Sequence, residues 1–260
     1  MLRDLARSAA LSRITALKMV SRAGAAHIGS SLSSIDILTV LFAFSLPQDE
    51  TKNVVLVSKG HAAAGVYAVL NTFEVIPDSW IADYCKNGSL LGGHVTSTNV
   101  PLLELSTGSL GHALPFALGR ALAKKLQSEP GRVYVLLSDG ECDEGSNWEA
   151  ALLASHLQLE NLTVVIDRNR LQSLGDTELT VALEPLNQKW NSFNWNVVEI
   201  DGHNIFELQK ALSSESKNKP TLILANTIKG KGVSFMEGNN LWHYRPPSQS
   251  ELQSALGQLE

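Results

Sequence analysis

The sequence predicts an α/β fold in which a doubly wound, mostly parallel sheet has helices on both faces. Apolar, β-branched runs alternate with segments of helical spacing along the whole chain. The stretch Val133–Gln172 contains an apolar run, a polar turn, a helical segment and a second apolar run, which is typical of a βαβ unit with parallel strands. No linker, repeat or low-complexity tract divides the sequence, so we expect one domain over residues 1–260.

The N-terminal elements are predicted from spacing and from capping residues. An amphipathic first helix would place Leu5, Ile14, Leu17 and Met19 or Val20 against a core. A mitochondrial transit peptide is the weaker interpretation of this Arg- and Ser-containing stretch. A Gly/Ser-rich turn is expected over 24–34. The next helix, over 35–44, would be capped by Ser33, Ser34 and Asp36.

The later elements alternate between strand and helix. Before the βαβ unit, the pattern predicts a strand over 53–57 followed by SKGHA, a helix through Tyr67 and Leu70, a short helix over 80–85 and a helix over 112–126. After that unit, it predicts a helix over 183–193, a strand over 196–200, a helix over 205–213, a strand over 221–225 and a last helix beyond Ser248.

Two strand ends of the βαβ unit each supply a hard oxygen ligand. Asp139 follows the first apolar run and Asn169 follows the second. Such oxygens suit Mg²⁺ or Ca²⁺ better than zinc. Gly140 would let a phosphate approach the backbone, near the N-terminus of a helix starting near Glu144. Either residue alone could be a cap or turn residue, but together they favour a metal-diphosphate site at the carboxyl edge of the sheet.

Histidines and glycines form the other candidate groups. His27, His61, His94 and His243 lie in Gly/Ser-rich loops, where several together could transfer protons or bind an anion. The STGSLG sequence over 106–111 would admit a ligand close to the backbone. The TIKGKG sequence over 227–232 could cradle phosphate, although a mobile glycine loop is the simpler interpretation. The sequence contains no zinc motif, nucleophile elbow or P-loop.

Composition limits the classes of partner. The net charge is −5 and the pI is about 5.8, so no basic surface for nucleic acid or anionic membranes is expected. Hydrophobic residues make up 44% of the chain, which suffices for a core, and Asp36 interrupts the most apolar run before it reaches membrane-spanning length. Cys85 and Cys142 are too few for a disulfide framework, which indicates a reducing compartment, and we expect the cytoplasm.

Together, these motifs resemble the thiamine diphosphate-binding half of transketolases over nearly the whole chain. The resemblance rests on HIGSSLSSIDIL at 27–38, SKGHA at 58–62, ELSTGSLGHAL at 104–114, the segment from Asp139 to Asn169, EPLNQKW at 184–190, IDGH at 200–203 and KGKGVSFMEGNNLWH at 229–243. It implies thiamine diphosphate and Mg²⁺ as cofactors, with Ca²⁺ as a substitute metal.

The resemblance also assigns residues. Asp139 and Asn169 would bind the metal through their side chains, and Leu171 through its carbonyl oxygen. His27 and His94 would line the mouth where the hydroxyls of a ketose donor bind, and would move protons there. Glu144 would lie in an acidic network at a dimer interface. The resemblance implies that Glu144, His27 and His94 are the catalytic residues. The residues that would contact the cofactor are His61, Gly108, Ser109, Leu110, Gly140 and His243.

The implied function is that of an N-terminal subunit of a split transketolase, which transfers a two-carbon ketol unit from a ketose phosphate donor to an acceptor. Full-length family members continue into a pyrimidine-binding domain, which bears a glutamate that activates the cofactor, and into a third domain. Because this sequence stops before either, we expect a separately encoded C-terminal subunit, an α2β2 assembly and no activity of the chain alone.

Several positions depart from the pattern of the family. Serine at 138 stands in place of glycine, Ile28 and Ser30 in place of proline and glycine, and Val95 in place of proline. The other departures are His112 and Ala113 in place of glutamine and glycine, Ser173 in place of an apolar residue, and Tyr244 in place of glycine. The metal ligands are intact, so cofactor binding is expected, whereas the usual sugar-phosphate substrate is less secure.

Two alternatives remain open. A transketolase-like subunit could load the two-carbon unit onto a carrier-bound thiol, with an acyl carrier protein as partner. A non-catalytic binding or regulatory subunit is the other alternative, disfavoured by the intact ligands and histidines. A nicotinamide-binding protein ranks lower still, because no GxGxxG follows the first strand.

Overall fold

The computed structural model describes residues 4–46 and 52–259, and these contain the predicted parallel sheet with helices on both faces. The strands are β1 (Val54–Val57), β2 (Val133–Ser138), β3 (Leu162–Arg168), β4 (Leu171–Gln172), β5 (Gly175–Asp176), β6 (Asn196–Asp201) and β7 (Thr221–Asn226). The helices are α1 (Leu5–Ala23), α2 (Ile28–Ala43), α3 (Ala63–Thr72), α4 (Asp78–Ala82), α5 (Ala113–Gln127), α6 (Gly145–His156), α7 (Thr177–Thr180), α8 (Leu186–Ser192), α9 (Ile205–Leu212) and α10 (Gln249–Leu259).

The main sheet is parallel, with the strand order β1-β2-β3-β7-β6. Ser138 at the end of β2 pairs with Asp167 of β3, and Arg168 pairs with Asn226 at the end of β7. The carboxyl ends of these strands therefore lie side by side at one edge, where open α/β sheets bind their ligands. β4 and β5 form a small antiparallel hairpin just beyond that edge.

Each face of the sheet is covered by its own hydrophobic core. Along β2, Tyr134 and Leu136 pack with the apolar residues of α1, α2, α3 and α9. The alternate residues Val133, Val135 and Leu137 pack with those of α5, α6 and α8. Because the strand is buried on both faces, it has a continuous apolar sequence rather than an alternating one.

The second helix begins earlier than predicted. α2 starts at Ile28, so the expected turn over 24–34 and the cap at Ser33, Ser34 and Asp36 are wrong. The hydroxyls of Ser33 and Ser34 bond within the helix, since both donate to the carbonyl of Ser30, at 3.1 Å and 2.9 Å. All residues from Ile28 to Phe42 are buried, so tertiary packing outweighs the low helix propensity of serine.

Most other boundaries agree with the prediction. α1 is confirmed, although Ile14 and Leu5 are only partly buried. α8 begins at Leu186 rather than 183. The reason is that Pro185 disfavours helical geometry at the residue before it. α4 ends at Ala82, three residues before the predicted end. No helix in the described ranges is long and apolar enough to cross a membrane.

Candidate functional site

A cavity of about 220 Å³ lies at the carboxyl edge of the parallel sheet. It brings together ten of the twelve residues that the sequence singled out: His27, His61, His94, Gly108, Leu110, Asp139, Gly140, Asn169, Leu171 and His243. They reach it from the ends of β1, β2 and β3, the start of α2 and three loops. The lining is completed by Ser30, Ser138, Gln172 and Ser173.

Asp139 is a buried carboxylate at the end of β2, 1% exposed. Its Oδ1 accepts a hydrogen bond from the backbone N–H of Gly140 at 2.8 Å, and its Oδ2 accepts one from that of Arg170 at 2.6 Å. Arg168 Nη1 lies 3.3 Å from Oδ2. Burial, reinforced by the negative charge of Asp167, raises the pKa of Asp139. A carboxylate in this setting is stabilised by an added cation.

The other predicted metal ligands lie on the turn that follows β3. Asn169 Oδ1 accepts a hydrogen bond from the backbone N–H of Leu171 at 3.1 Å, which fixes the turn. The carbonyl oxygen of Leu171 accepts a hydrogen bond from Lys229 Nζ at 3.3 Å. A carbonyl oxygen has two lone pairs, so a metal ion bound here would share this oxygen with Lys229.

The four loop histidines form one cluster. The ring of His27 lies 5.6 Å from that of His61, 5.5 Å from that of His94 and 4.9 Å from that of His243, measured between centroids. Burial, with His94 and Lys229 nearby, lowers the pKa of His27 to about 4.

Two further members of the cluster also have depressed pKa values. Burial, with Lys229 and His27, lowers the pKa of His243 to about 3. Burial also lowers the pKa of His61 well below its usual value, with Lys59 as the next cause. His27, His61 and His243 are therefore neutral near pH 7, and each presents one donor and one acceptor nitrogen.

Two predicted residues lie outside the cavity lining. Ser109 is exposed, although its neighbours Gly108 and Leu110 line the cavity. Glu144 is the exposed N-cap residue of α6. Gly111 packs so closely on Glu144 that a Cβ on the glycine would lie 2.8 Å from Glu144 Cβ. The role of Glu144 at a dimer interface remains a prediction.

The sequence analysis missed two buried lysines near the cavity. Lys59 is fully buried and forms an ion pair with Asp167. Burial alone would raise the pKa of Asp167, but Lys59 and its other partners lower it. Lys229, 1% exposed, contacts Leu171, Asn240 and His243. Their signal was present in the sequence, since each lysine lies within four residues of a predicted strand end.

Lys229 lies in the loop that the sequence analysis interpreted as a mobile glycine loop. The structure gives this loop fixed partners: Gly230 N–H donates to the carbonyl of Gly29 at 3.0 Å. Gly230 has a φ of +81°, and a Cβ there would lie 2.3 Å from the carbonyl oxygen of Met236. Glycine is required here by a close backbone approach.

Glu141 is a third residue that the sequence analysis missed. Its buried carboxylate accepts hydrogen bonds from the backbone N–H of Gly111 at 2.9 Å and of Ser138 at 3.2 Å, and from the hydroxyl of Ser58. Burial raises its pKa. One side chain thus ties the ends of β1 and β2 to the loop that bears Gly108 and Leu110.

Three of the eight departures from the family pattern line this cavity: Ser30, Ser138 and Ser173. Tyr244 is 58% exposed, and its hydroxyl donates to the carbonyl of Ser173. Val95 is buried, and its N–H donates to the carbonyl of Gly60 at 3.0 Å. Serine and tyrosine therefore add polar groups and bulk around the cavity where the pattern has smaller or apolar residues.

The residues present fit a magnesium ion held with a diphosphate. No group of three or more His, Cys, Asp or Glu side chains in the described ranges is arranged to hold a metal ion, so a site here needs amide and backbone oxygens beside Asp139. Asn169 and Leu171 supply these, and hard oxygens are what Mg²⁺ prefers. Gly140 is pressed against Gln172, since a Cβ would lie 2.8 Å from that of Gln172. Lys229 provides positive charge near the place of an anion, whereas the charge of Lys59 is balanced by Asp167.

Comparison with known proteins identifies related sequences along nearly the whole chain. Residues 5–259 match the profile of the family described as transketolase, thiamine diphosphate binding domain. One of the subunits of the apulose-4-phosphate transketolase of Actinobacillus succinogenes is 40% identical over 255 residues, covering 95% of this chain and 92% of that protein. A 6-deoxy-6-sulfo-D-fructose transketolase subunit from Clostridium sp. is 35% identical, covering 99% of this chain and 96% of that protein.

Longer relatives are matched over part of their length only. The human transketolase is 34% identical over 254 residues, which are 95% of this chain but 40% of that protein. Among solved structures, transketolase from Leishmania mexicana superimposes with a TM-score of 0.92 at 26% identity, over 100% of this chain and 42% of that one. The fold is thus shared with about two fifths of each of these longer chains.

Proposed function

The chain belongs to the transketolase family as a thiamine diphosphate-binding domain, and on that premise we propose that it holds Mg²⁺ and thiamine diphosphate in a two-chain enzyme that transfers a two-carbon ketol unit. The relatives that match it over nearly their whole length are named as transketolase subunits. The enzyme class is a transketolase-type transferase.

One observation carries the proposal: a single cavity gathers Asp139, Asn169, the Leu171 carbonyl and four histidines. These groups come from segments far apart in the chain, so their convergence is a property of the fold. The oxygens would hold a metal and a diphosphate. The imidazoles of His27 and His94 would position a sugar.

Each residue proposed to hold the metal and the diphosphate has a distinct task. Asp139 and Asn169 would bind the metal through their side-chain oxygens, and Leu171 through its carbonyl. Gly140 and Gly108 would approach the diphosphate closely because they have no side chain, and Leu110 would contribute its backbone. Lys229, which lies at the Leu171 carbonyl, would offset the negative charge of the diphosphate.

Two of the histidines, His27 and His94, would bind and orient the sugar. Thiamine diphosphate, when bound, supplies the carbanion-stabilising chemistry that ketol transfer requires. His27 is neutral near pH 7, so it can accept a proton from a donor hydroxyl at one nitrogen and return it. His94, 5.5 Å away between ring centroids, would hold a second hydroxyl. His61 and His243 would contact the cofactor.

The partner is a separately encoded subunit with the pyrimidine-binding domain, in an α2β2 assembly. Support comes from relatives that are themselves named as single subunits of a transketolase. This chain covers about nine tenths of such a relative, whereas it spans about 40% of full-length transketolases. Glu144, exposed at the start of α6, would lie at the subunit interface. The two free cysteines, Cys85 and Cys142, suit the cytoplasm as the place of action.

The substrate proposed is a ketose with an anionic group. The two near-full-length relatives carry the names of a phosphorylated and a sulfonated sugar. Loading of a carrier-bound thiol, with an acyl carrier protein as acceptor, has no comparable support. A non-catalytic regulatory subunit is disfavoured, because ten of the twelve predicted site residues meet in one cavity.

The direct test is reconstitution of activity. The purified chain with Mg²⁺ and thiamine diphosphate should show no ketol transfer from sugar phosphates alone, and should gain it when the partner subunit is added. A matched pair in which the chain carries Asp139→Asn should stay inactive. Appreciable transfer by the chain alone, or full activity of the variant pair, would contradict the proposal.

A further inference from the structure

A buried charged cluster lies outside the cofactor cavity, beneath the loop that carries Lys229. Asp36, in the middle of α2, is 5% exposed. Its Oδ1 accepts a hydrogen bond from Arg13 Nη1 at 3.1 Å, and its Oδ2 accepts one from Arg13 Nη2 at 2.5 Å. The third member is His203, whose Nδ1 lies 2.8 Å from Asp36 Oδ2. None of the three lines the cavity.

The hydrogen bonds of His203 fix its tautomer. Its Nε2 accepts a hydrogen bond from the backbone N–H of Ile228 at 2.9 Å. A backbone amide can only donate, so Nε2 carries no proton. The single proton of the neutral ring therefore lies on Nδ1 and is donated to Asp36. This is the carboxylate–imidazole arrangement that orients a histidine in catalytic triads, with a backbone amide in the place of the nucleophile.

The position of His203 is itself fixed by backbone hydrogen bonds and by the packing of Gly202. Its backbone N–H donates to Asp201 Oδ1 at 2.9 Å, where β6 ends. The next residue back, Gly202, donates to the carbonyl of Asn226 at 2.8 Å. A Cβ on Gly202 would lie 2.5 Å from Thr227 Cγ2, so the corner packs directly on the end of β7. The ring is thus presented to Ile228 by a fixed corner.

Ile228 is directly followed by Lys229, whose ammonium contacts the cofactor site. Lys229 Nζ lies 3.3 Å from the Leu171 carbonyl oxygen and 3.2 Å from His243 Nδ1, two residues that line the cavity. The Ile228 amide is therefore the nearest backbone anchor before the lysine. Thr227 on one side and Gly230 on the other are held by Asp167 and Gly29.

From this geometry we propose that His203, oriented by Asp36, is a positioning residue that sets the path of residues 227–230 and thereby places the Lys229 ammonium at the metal-diphosphate site. The inference rests on the proposed function for its effect on cofactor affinity. Its structural part, the bond from Ile228 N–H to His203, stands independently.

The structural part is tested by hydrogen exchange of the full-length chain without cofactor. In His203→Ala, the amides of 228–230 should exchange at least about 10-fold faster than in the wild type, because the Ile228 amide loses its acceptor. His203→Gln, whose amide oxygen can still accept from Ile228, should keep much of the protection. His156→Ala, which removes an exposed histidine at the end of α6, is the matched control and should change nothing there.

The functional part is tested by a double-mutant cycle on the affinity for thiamine diphosphate with Mg²⁺, measured calorimetrically with the partner present. His203→Ala should weaken binding roughly 10-fold, as loss of an outer partner does at metal sites. If His203 acts through the lysine, His203→Ala should add little in a Lys229→Met background. A general structural effect would instead give additive losses.

The outcomes separate the two proposals. If the wild-type pair does not bind thiamine diphosphate, the proposed function fails, while hydrogen exchange still decides the bond to Ile228. If the wild type binds but His203→Ala binds equally well, or the losses are additive, the inference alone is overturned. Unchanged exchange at 228–230 in His203→Ala would also overturn it.

Discussion

At the scale of single residues, buried ion pairs determine the charge around the cavity. Lys59 and Asp167 are both fully buried, and the same carboxylate accepts hydrogen bonds from Ser33 and Thr227. A buried charge is tolerated only while its partner is present, because removing the partner leaves an uncompensated ion in a medium of low dielectric constant.

Lys59→Met is therefore expected to destabilise the protein strongly. It leaves the Asp167 carboxylate buried without its cation, and we expect a loss of about 3–5 kcal/mol in the free energy of unfolding. Urea denaturation of the purified variant measures this. The control is Lys86→Met, which removes an exposed pair with Asp83 and should change stability by less than about 0.5 kcal/mol. Equal effects of the two variants would contradict this assignment of the buried pair.

The depressed pKa of His27 predicts a pH dependence of stability. Its pKa is about 4 in the folded chain, below the ~6.5 of an unfolded histidine. As the pH falls from about 7 towards 4, the unfolded chain takes up a proton that the folded chain does not, so stability decreases in that window. Above pH 7 this contribution is fully present.

The measurement compares urea midpoints of the wild type and His27→Gln at pH 7.5 and pH 5.0. Between pH 7.5 and pH 5.0 the variant should lose less stability than the wild type. The difference between the two losses should be well under about 1.4 kcal/mol per pH unit, because the His27 ring is only partly buried. Comparing the two proteins cancels the titration of all other groups. An identical pH dependence would show that His27 titrates normally in the folded chain.

Sequence patterns predicted the oxygen-bearing residues and histidines that line the cavity but not the buried cations or the Asp36 cluster. Asp139 and Asn169 are recognisable because each ends an apolar run, and chemistry then limits what they can bind. Asp36 was interpreted as a cap, because its partner His203 is 167 positions away and nothing local indicates the pairing. Contacts between distant segments are set by the tertiary fold.

At the scale of elements, close packing between strand ends and loops shapes the cavity. Gly60, in the turn of 3-10 helix after β1, lies against Thr107, and a Cβ there would be 2.2 Å from the carbonyl oxygen of Thr107. Backbone cannot move aside as a flexible side chain can. The approach of these two segments carries His61 and the 108–110 loop to the cavity.

Gly60→Ala should therefore be destabilising, whereas Gly119→Ala should not. We expect Gly60→Ala to lower the free energy of unfolding by about 2–3 kcal/mol through the clash with Thr107. Gly119 is exposed within α5, and a Cβ added there would meet nothing within 4 Å, so alanine should raise stability by about 0.5–1 kcal/mol. Thermal unfolding of both variants gives the comparison. A neutral Gly60→Ala would show that the two segments do not meet as described.

Element types were predictable from periodicity, and the exceptions have physical reasons. The strands are buried on both faces and so have short apolar runs that end at polar residues. α2 was shortened in the prediction because its serines resemble a turn, yet the whole helix is buried between α1 and α3. Burial of an entire helix overrides local propensity.

At the scale of the whole molecule, the chain corresponds to the thiamine diphosphate-binding domain of the transketolase family. It covers about nine tenths of the near-full-length subunit relatives and about 40% of single-chain transketolases. The architecture followed from the alternation of strands and helices, whereas the acceptor and the identity of the partner do not follow from it, because one fold is compatible with many functions.

The most direct test of the central claim is the binding of thiamine diphosphate measured by calorimetry, with the partner subunit present. The wild-type pair should bind only when Mg²⁺ is supplied, and Asp139→Asn, which keeps the shape but removes the charge, should weaken binding at least about 100-fold. Binding that is independent of the metal, or equally strong in the Asp139→Asn variant, would contradict the assignment of this cavity.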